Sequence, residues 1–533
     1  MRALEQAPSG GEVAVALLVT ALALLPMLAI GFVNDDVAIV SYCFRGGHPD
    51  LATLLTRRAL TDYYYRPLVD LSYGVDFLIW GWNPFGFRLT NLILHLANVL
   101  LVFQVAATLL RSRSQALLAA ALFGVLPIHE TSLFWIPGRS DVLCTTFVLG
   151  SIGFLLSYLE SSRASALALS LAAFVLALLS KEMAFSLPLL AFAVAWWHGR
   201  SPGRALRTSL PYVAVAAAMI AVRWWAFGNN LLGDQGWHGN VAPTHLLKNL
   251  ASYLGLLIVP LGHYQIERLL SGQPLLFMVL ALAALGVATL ALWKARAERR
   301  ALVLSALWVG ITLLPVIRLM YRWYLYLPSV GFAIALGSLL ARARERGQAA
   351  MVFGLALWGL YAGITVAEAR PWIEASRHYA KWLREIGSQA TWSKGADTLT
   401  FVTTPGKIGT TPVFQLGLPA ALRQALGRDD LDAVTWAPLT LDRLPARVDY
   451  QVGAGARSIR LAVHGGSFTI FDAALISQRR APEPGVAARV GEARISIERV
   501  DQHRKPSALE IELDRPLPRN TFLFDGARFV RLR

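Results

Sequence analysis

The chain has 533 residues, of which 55 % are hydrophobic and only 16 % charged, and apolar runs of bilayer-crossing length recur between residues 13 and 367. This excludes a soluble enzyme for the first two thirds. The formal net charge of +16 would point to nucleic acid in a soluble protein, but here it falls largely in short connections between apolar runs, so no nucleic-acid partner is expected.

Val13 to Val33 is an uncharged apolar run behind a start that is not strongly basic, and it reads as a retained first span rather than a cleaved signal. At its end stands Gly31-Phe-Val-Asn-Asp-Asp36. Two adjacent carboxylates at the lip of a span are costly to desolvate, so Asp35 and Asp36 must face water, a cation or a reacting group. Residues 34 to 87 read as a long polar and aromatic loop.

Apolar runs follow at Leu89 to Leu110, Ala116 to Ile128, Val142 to Leu159, Ala164 to Ser180, Met183 to Trp197, Thr208 to Phe227, Pro274 to Trp293, Ala301 to Ile317, Tyr324 to Ala341 and Ala349 to Ala367. With the first run these predict about eleven spans. Arg111 and Arg113, Arg163, Arg200 to Arg207, Lys294 to Arg300 and Arg342 to Arg346 place their connections in the cytoplasm. Parity between Arg207 and Lys294 then makes Thr244 to Pro260 a re-entrant or interfacial helix. The Asp35/Asp36 loop, the Pro127 to Ser140 loop, the Lys181/Glu182 junction, the Ile317 to Trp323 turn and everything after residue 368 fall on the outer face.

Two domains are expected, a transmembrane domain over 1–367 and an extracytoplasmic soluble α+β or β-rich domain over 368–533. In the second, a helical pattern near Trp372 to Gly387 precedes alternating runs at Thr398 to Thr403, Ser458 to Val463, Ser467 to Phe471, Ile495 to Val500 and Ala508 to Leu513. It carries no 34-residue helical repeat. Two cysteines, Cys43 and Cys144, make neither a disulfide framework nor a metal cluster.

The unusual polar groups gather on the predicted outer side: Asp35 and Asp36, Tyr63-Tyr64-Tyr65-Arg66-Pro67-Leu68, Pro127-Ile128-His129-Glu130, Trp135-Ile-Pro-Gly-Arg139-Ser-Asp141, Lys181-Glu182, Arg318, Arg322 and Tyr324. Cations, carboxylates and aromatics at one membrane face suit an anionic, lipid-anchored substrate with a polar ring. Arg139 with Asp141 and Lys181 with Glu182 read either as ion pairs that satisfy one another or as functional groups. His95, inside a span, reads as a helix-packing hydrogen-bonder. Ile128-His129-Glu130 lacks a second histidine four residues on, which excludes a zinc-protease helix.

The ordered set over residues 31 to 341, comprising Asp-Asp after the first span, Tyr-Arg-Pro-Leu, Trp-Gly-x-Asn-Pro with Arg88-Leu-Thr-Asn-Leu-Ile-Leu-His95, Pro-x-His with Trp-Ile-x-Gly-Arg-x-Asp, Leu-Ser-Lys-Glu and Tyr324-Leu-Tyr-Leu-Pro-Ser-Val-Gly331, resembles a known family. It is similar to the bacterial relatives of the transmembrane, tetratricopeptide-repeat O-mannosyltransferases. The resemblance implies a C-type glycosyltransferase fold and transfer of a sugar from a polyprenyl-phosphate-linked donor to a hydroxyl of a protein, lipid or glycan on the extracytoplasmic face, with inversion. Asp35 or Asp36 would then be the general base, Arg66, Arg139, Lys181, Arg318 and Arg322 the donor-phosphate contacts, and Tyr64, Tyr65, His129, Glu130, Asp141, Glu182 and Tyr324 the substrate contacts. A divalent cation, Mg or Mn, on Asp35 and Asp36 is an alternative role for that pair, and a bacterial inner membrane with a periplasmic C-terminal domain the expected location. Three departures from the family pattern stand out: Leu126 replaces a usual histidine and the acid lies at Glu130 with Thr131 at its usual place, Arg322-Trp323 replaces an acidic-Arg pair, and the repeats that often follow the membrane part are absent. The competing class is a transporter or flippase of lipid-linked glycans. Such proteins often carry an internal repeat and mid-membrane charges, whereas here no repeat is found and the polar groups lie at span ends.

Overall fold

The computed structural model describes residues 10–45, 48–49, 65–227, 242–259, 279, 299–344, 347–392, 398–408, 411–414, 417–441, 446–464, 468–470, 483–490, 493–501 and 505–532. The chain divides into two compact units, residues 1–29 with 43–369 and residues 30–42 with 370–533. The segment with Asp35 and Asp36, assigned by sequence to the membrane domain, instead packs with the C-terminal residues.

The first unit is helical. Its elements are α1 (Gly10–Leu24), then, after α2 (Asp36–Tyr42) of the other unit, α3 (Pro67–Trp80), α4 (Pro84–Leu110), α5 (Arg113–Gly124), α6 (Glu130–Phe134), α7 (Arg139–Ser161), α8 (Ala164–Leu178), α9 (Leu187–Trp197), α10 (Pro202–Phe227), α11 (Pro243–Ile258), α12 (Arg299–Leu313), α13 (Ser329–Arg344) and the first part of α14 (Gln348–Gln389). The stretch read as a loop over 34–87 thus contains α2 and α3. Pro67 at the first turn of α3 presets the backbone for a helix, a start signal that the polar composition hid. Asn83 caps α4 by accepting from the Phe85 N–H at 3.1 Å, again with proline next, and α4 spans about 40 Å at 1.5 Å per residue.

Five helices among the described residues are long and apolar enough to cross a membrane, or six if α5 and the 127–134 segment, bent by 48°, form one broken span. Shorter apolar helices run over Ala164–Leu178, Glu182–Trp197 and Ser329–Ala343. The sequence count of eleven is therefore not reproduced by length alone, and Pro274 to Trp293 lies outside the described residues apart from Val279. Large apolar side chains point outward on these helices, among them Ile93, Trp225 and Phe353 at 57 %, 74 % and 62 % exposure. Such a surface is stable in lipid and aggregation-prone in water.

Small residues let the helices approach. A Cβ on Gly337 of α13 would meet the Ala119 backbone nitrogen of α5 at 2.5 Å, and one on Gly124 would collide with Thr20 Oγ1 of α1. Ser151 and Ser170 donate to each other's carbonyls at 2.8 and 2.6 Å, pinning α7 to α8.

The second unit is α+β. The strands β7 (Arg447–Val452), β8 (Ser458–His464), β10 (Ala487–Val490), β11 (Ala493–Val500) and β12 (Pro506–Leu513) form an antiparallel sheet in the order β10-β11-β12-β8-β7. A mixed sheet runs β14 (Phe529–Arg531), β13 (Thr521–Phe524), β3 (Thr398–Pro405), β6 (Asp432–Leu441) and β9 (Phe468–Ile470), with β13, β3 and β6 parallel. β8 alternates inward Ile459, Leu461 and Val463 with outward polar residues, while β3 is buried along nearly its whole length, as a central parallel strand covered on both faces should be. Two short hairpins, β1 (Phe44–Arg45) with β2 (His48–Pro49) in the first unit and β4 (Lys407–Ile408) with β5 (Thr411–Pro412) in the second, complete the strands. The helical pattern near 372–387 is the end of α14, whose Trp382 donates to the Ala527 carbonyl at 3.1 Å and packs edge-on against Phe524. One short helix, α15 (Leu418–Leu426), stands between glycines of positive φ.

Candidate active site

In the helical unit, side chains far apart in sequence converge in a charged cluster. Glu182 follows the end of α8 at the start of a 3₁₀ turn, and its carboxylate accepts from Arg66 Nη2 at 2.7 Å through Oε2 and from Arg223 Nη1 at 3.3 Å through Oε1. Arg66 immediately precedes α3, and Arg223 lies in the last turns of α10. Beside them Lys181 Nζ donates to Asp141 Oδ2 at 2.6 Å and sits 5.0 Å from the centre of the Tyr324 ring. Arg66 Nη1 reaches Ser140 Oγ at 3.5 Å, which links the two pairs through the first turn of α7.

Among the described residues the cluster holds three cations and two carboxylates. Its deeper pair, Lys181 and Asp141, is 2 % and 3 % exposed, while Arg66 and Glu182 are 16 % and 28 % exposed. The accessible side is thus the one where a single carboxylate is shared by two guanidiniums. Asp141 Oδ1 is buried with no hydrogen-bond partner among the described residues. Keeping such groups charged in an apolar bundle is costly, and the default reading of the cost is a binding or catalytic role.

Sequence adjacency suggested Lys181–Glu182 and Arg139–Asp141 as pairs, and neither forms. Arg139 and Asp141 are two apart on one helix and so point in different directions, and Lys181 is extended where Glu182 opens a 3₁₀ turn, so each finds a partner on another element. Arg139 pairs with Asp76 of α3 at 2.5 Å, and its Nε donates to Asn91 Oδ1 at 2.7 Å. Its Nη1 donates to the Ser72 carbonyl and hydroxyl, each at 3.2 Å, and its Nη2 to the Phe87 carbonyl at 2.7 Å. Arg139 is wholly buried, and each of its guanidinium nitrogens is engaged by protein. That arrangement fastens α7 to α3 and α4, whereas the sequence reading makes Arg139 a phosphate contact.

A second charged group joins Glu130 and Arg322. Nη1 of Arg322 donates to Glu130 Oε1 at 2.9 Å, and Thr131 Oγ1 donates to the same oxygen at 2.6 Å. An acidic-Arg pair missing from the local sequence before Tyr324 is thereby made across 192 residues. Nε and Nη2 of Arg322 are buried without hydrogen-bond partners among the described residues. His129 Nε2 lies 2.7 Å from Ser329 Oγ, whose own hydrogen goes to the Tyr326 carbonyl at 2.7 Å. Nε2 therefore carries the hydrogen, and Nδ1 presents a buried lone pair with no partner among the described residues.

Of the remaining expected residues, Arg318 is half-buried without an ion pair among the described residues, in a turn that α11 holds through Asn249 Nδ2 to the Ile317 carbonyl at 2.8 Å and Tyr253 Oη to the Leu319 carbonyl at 2.6 Å. Tyr65 is buried, which raises its phenol above the usual range against the opposing pull of Arg223. Tyr64 lies outside the described residues. Asp35 and Asp36 belong to the other unit: Asp36 opens α2, and its Oδ2 accepts from the Val33 N–H at 3.0 Å, while Asp35 Oδ1 accepts from the Asn34 amide at 3.0 Å. Among the described residues no group of three His, Cys, Asp or Glu side chains is placed to hold a metal ion.

Sequence reading missed Arg223 and Asp76. The signal for Arg223 was an arginine inside an apolar run, between Val222 and Trp224. Asp76 was hidden in the stretch taken for a loop.

Known proteins share part of this sequence and its fold. Residues 67–226 match the family model described as dolichyl-phosphate-mannose-protein mannosyltransferase. The protein O-mannosyl-transferase Tmtc1 of Drosophila melanogaster is 36 % identical over 180 residues, 31 % of this chain and 20 % of that one. The human TMTC1 protein O-mannosyl-transferase is 38 % identical over 92 residues, 17 % of this chain and 10 % of that one. The chain thus matches a fifth or less of these relatives' length. The apo crystal structure of ArnT from Cupriavidus metallidurans superposes with a TM-score of 0.50 at 16 % identity, covering 80 % of this chain and 84 % of that one, which shows a shared fold.

Proposed function

We propose that this chain is a membrane glycosyltransferase of the C-type fold, akin to the O-mannosyltransferases it resembles, and that it transfers a hexose from a polyprenyl-phosphate-linked donor to a hydroxyl on the extracytoplasmic face. The carrying observation is the Glu182 carboxylate shared between Arg66 and Arg223, with Lys181 beside it. A glycosyl phosphate is already activated, so the enzyme must stabilise the departing phosphate and deprotonate the incoming hydroxyl. Guanidiniums offer a fork that matches phosphate oxygens, and charge growing on the phosphate as the C1–O bond breaks strengthens those contacts most in the transition state. Arg318, and Arg322 with its buried N–H groups, are further contacts for the anionic donor.

His129 Nδ1 and Tyr324, with Tyr64, Tyr65 and Glu130, suit recognition of the sugar ring, the first as a hydrogen-bond acceptor for a hydroxyl. Asp36, with Asp35 beside it, suits the base: it takes the acceptor's proton as the acceptor oxygen bonds to C1 and polyprenyl phosphate leaves. Attack opposite the phosphate inverts the anomeric centre. The same two carboxylates are the residues that would hold Mg or Mn, with other ligands coming from substrate phosphate and water. The acceptor is a protein, lipid or glycan hydroxyl, and the location a bacterial inner membrane with the C-terminal unit in the periplasm.

The test is transfer from radiolabelled polyprenyl-phosphate mannose by the detergent-purified chain and its Asp35→Asn and Asp36→Asn variants. Loss of transfer in one or both variants is expected; full activity in both refutes the base assignment. Wild-type failure with every donor tried, combined with donor translocation in vesicles, would favour the transporter. Topology is checked with an impermeant thiol reagent on Arg207→Cys and Arg447→Cys in a background lacking Cys43 and Cys144; labelling of position 207 or protection of position 447 in spheroplasts contradicts the assigned faces.

A further inference from the structure

The loop with the two carboxylates is held by the C-terminal residues of its own unit at one narrow place. The Asn34 N–H donates to the Val413 carbonyl at 2.8 Å, and the Val413 N–H donates to the Gly406 carbonyl at 2.9 Å. Asn34 itself takes a left-handed conformation, φ 50°, which turns the chain into α2. Four residues beyond Val413, Gly417 takes φ +80° just before α15. A Cβ there would stand 2.9 Å from Asp35 Cα, 3.0 Å from the Asn34 carbonyl oxygen and 3.2 Å from Ala38 Cβ. Two of those three are backbone atoms of the carboxylate loop, which cannot swing aside as a side chain can. From the other side Gly31 lies against Ser376, at 3.3 Å from where its Cβ would be to Ser376 Cβ, and Tyr379 is within electrostatic reach of both carboxylates while its ring stacks on Phe414 at 4.8 Å.

We propose that Gly417 is a positioning residue: the turn that opens α15 is the seat on which the Asn34–Asp36 backbone rests, so the soluble unit sets the aim of the two carboxylates. This rests on the reading of Asp35 and Asp36 as the base. It gives the C-terminal unit a part in the sugar transfer itself, where sequence gave it no role. A general base works only within hydrogen-bond reach of its proton, and a displacement of about 1 Å can cost about a hundredfold in rate.

Gly427 supplies the control. It closes the same helix at φ +63° with nothing within 4 Å of its Cβ position. Gly417→Ala and Gly427→Ala therefore share the strain of a left-handed alanine, and only the first intrudes on the loop. Ala38→Val presses on the seat from α2 without that strain. Amide hydrogen exchange of residues 33–39 and donor kinetics are measured on the full chain in detergent. Gly417→Ala and Ala38→Val are expected to speed exchange there about tenfold and lower kcat about ten- to a hundredfold, with KM for the donor within about twofold, while Gly427→Ala changes neither. Exchange and kcat in both seat variants equal to those of Gly427→Ala overturn the inference. Faster exchange in the seat variants together with full activity of Asp35→Asn and Asp36→Asn upholds the seat and sinks the base instead.

Discussion

Arg223 meets the Oε1 of Glu182 at 3.3 Å across 41 residues of sequence, while Arg66 holds the other oxygen of the same carboxylate. Two guanidiniums converging on one carboxylate form a basic face whose forks match the oxygens of a phosphate. Arg223→Gln and Arg66→Gln are each expected to lower kcat/KM for a polyprenyl-phosphate donor by about 10²- to 10³-fold, the range for loss of one preorganised donor to a developing oxyanion. Arg223→Lys should recover only part, because an ammonium has no fork. Near wild-type kcat/KM in Arg223→Gln would remove this residue from the phosphate site.

Arg139 is expected to behave differently. Its replacement by methionine leaves Asp76 buried without its cation and removes the donor from acceptors on both α3 and α4, so the cost falls on stability, about 3–5 kcal/mol. Thermal unfolding in detergent reads this, and Arg139→Met with Asp76→Asn should be less destabilised than Arg139→Met alone. An Arg139→Met protein that melts like the wild type but fails to bind donor would restore the phosphate role.

Much of this arrangement could be read from sequence as motifs, and little of it as partners. The Asp-Asp step, Arg66, Pro-x-His129, Lys181-Glu182 and the Tyr324 motif stand out in the sequence because charged groups at the ends of apolar runs are conspicuous. Who pairs with whom depends on which helices are neighbours, and hydrophobic periodicity carries no such information; Glu130 and Arg322 lie 192 residues apart. The strands of the C-terminal unit that alternate cleanly, such as β8, β11 and β12, were visible, whereas β6 and β13 carry the parallel pairings of the mixed sheet and lack that pattern. The seat formed by Gly417 depends on a positive φ and a backbone approach, which a lone glycine does not announce.

Asp70 of α3, a helix outside the candidate spans, gives a pH dependence. Burial pushes its carboxyl up to about 7 from the usual 3.8, against the lowering effect of Arg66. The folded state therefore keeps this proton to higher pH than the unfolded chain does, so stability falls as pH rises from about 4 to about 7 and is level above. Asp70→Asn should flatten the melting temperature across that window and raise it relative to wild type at pH 8. An unchanged slope in Asp70→Asn would place the titration elsewhere.

Tyr326 and His95 show how the buried polar groups hold the bundle. His95 Nε2 lies 3.0 Å from the Gly124 carbonyl, which can only accept, so Nε2 carries the hydrogen and Nδ1 is the acceptor. The Tyr326 hydroxyl, 2.6 Å from Nδ1, must then be the donor, and it accepts in turn from the Asn98 amide at 3.2 Å. Tyr326→Phe keeps the ring's packing against His129 but leaves a lone pair on His95 and an N–H on Asn98 without partners in a wholly buried place. The expected cost is about 1–3 kcal/mol for each group left unsatisfied, seen as a lower melting temperature. His95→Phe alongside Tyr326→Phe removes the imidazole's demand, so the double variant should lose less than the sum of the singles, and strict additivity would show that the two side chains are not coupled.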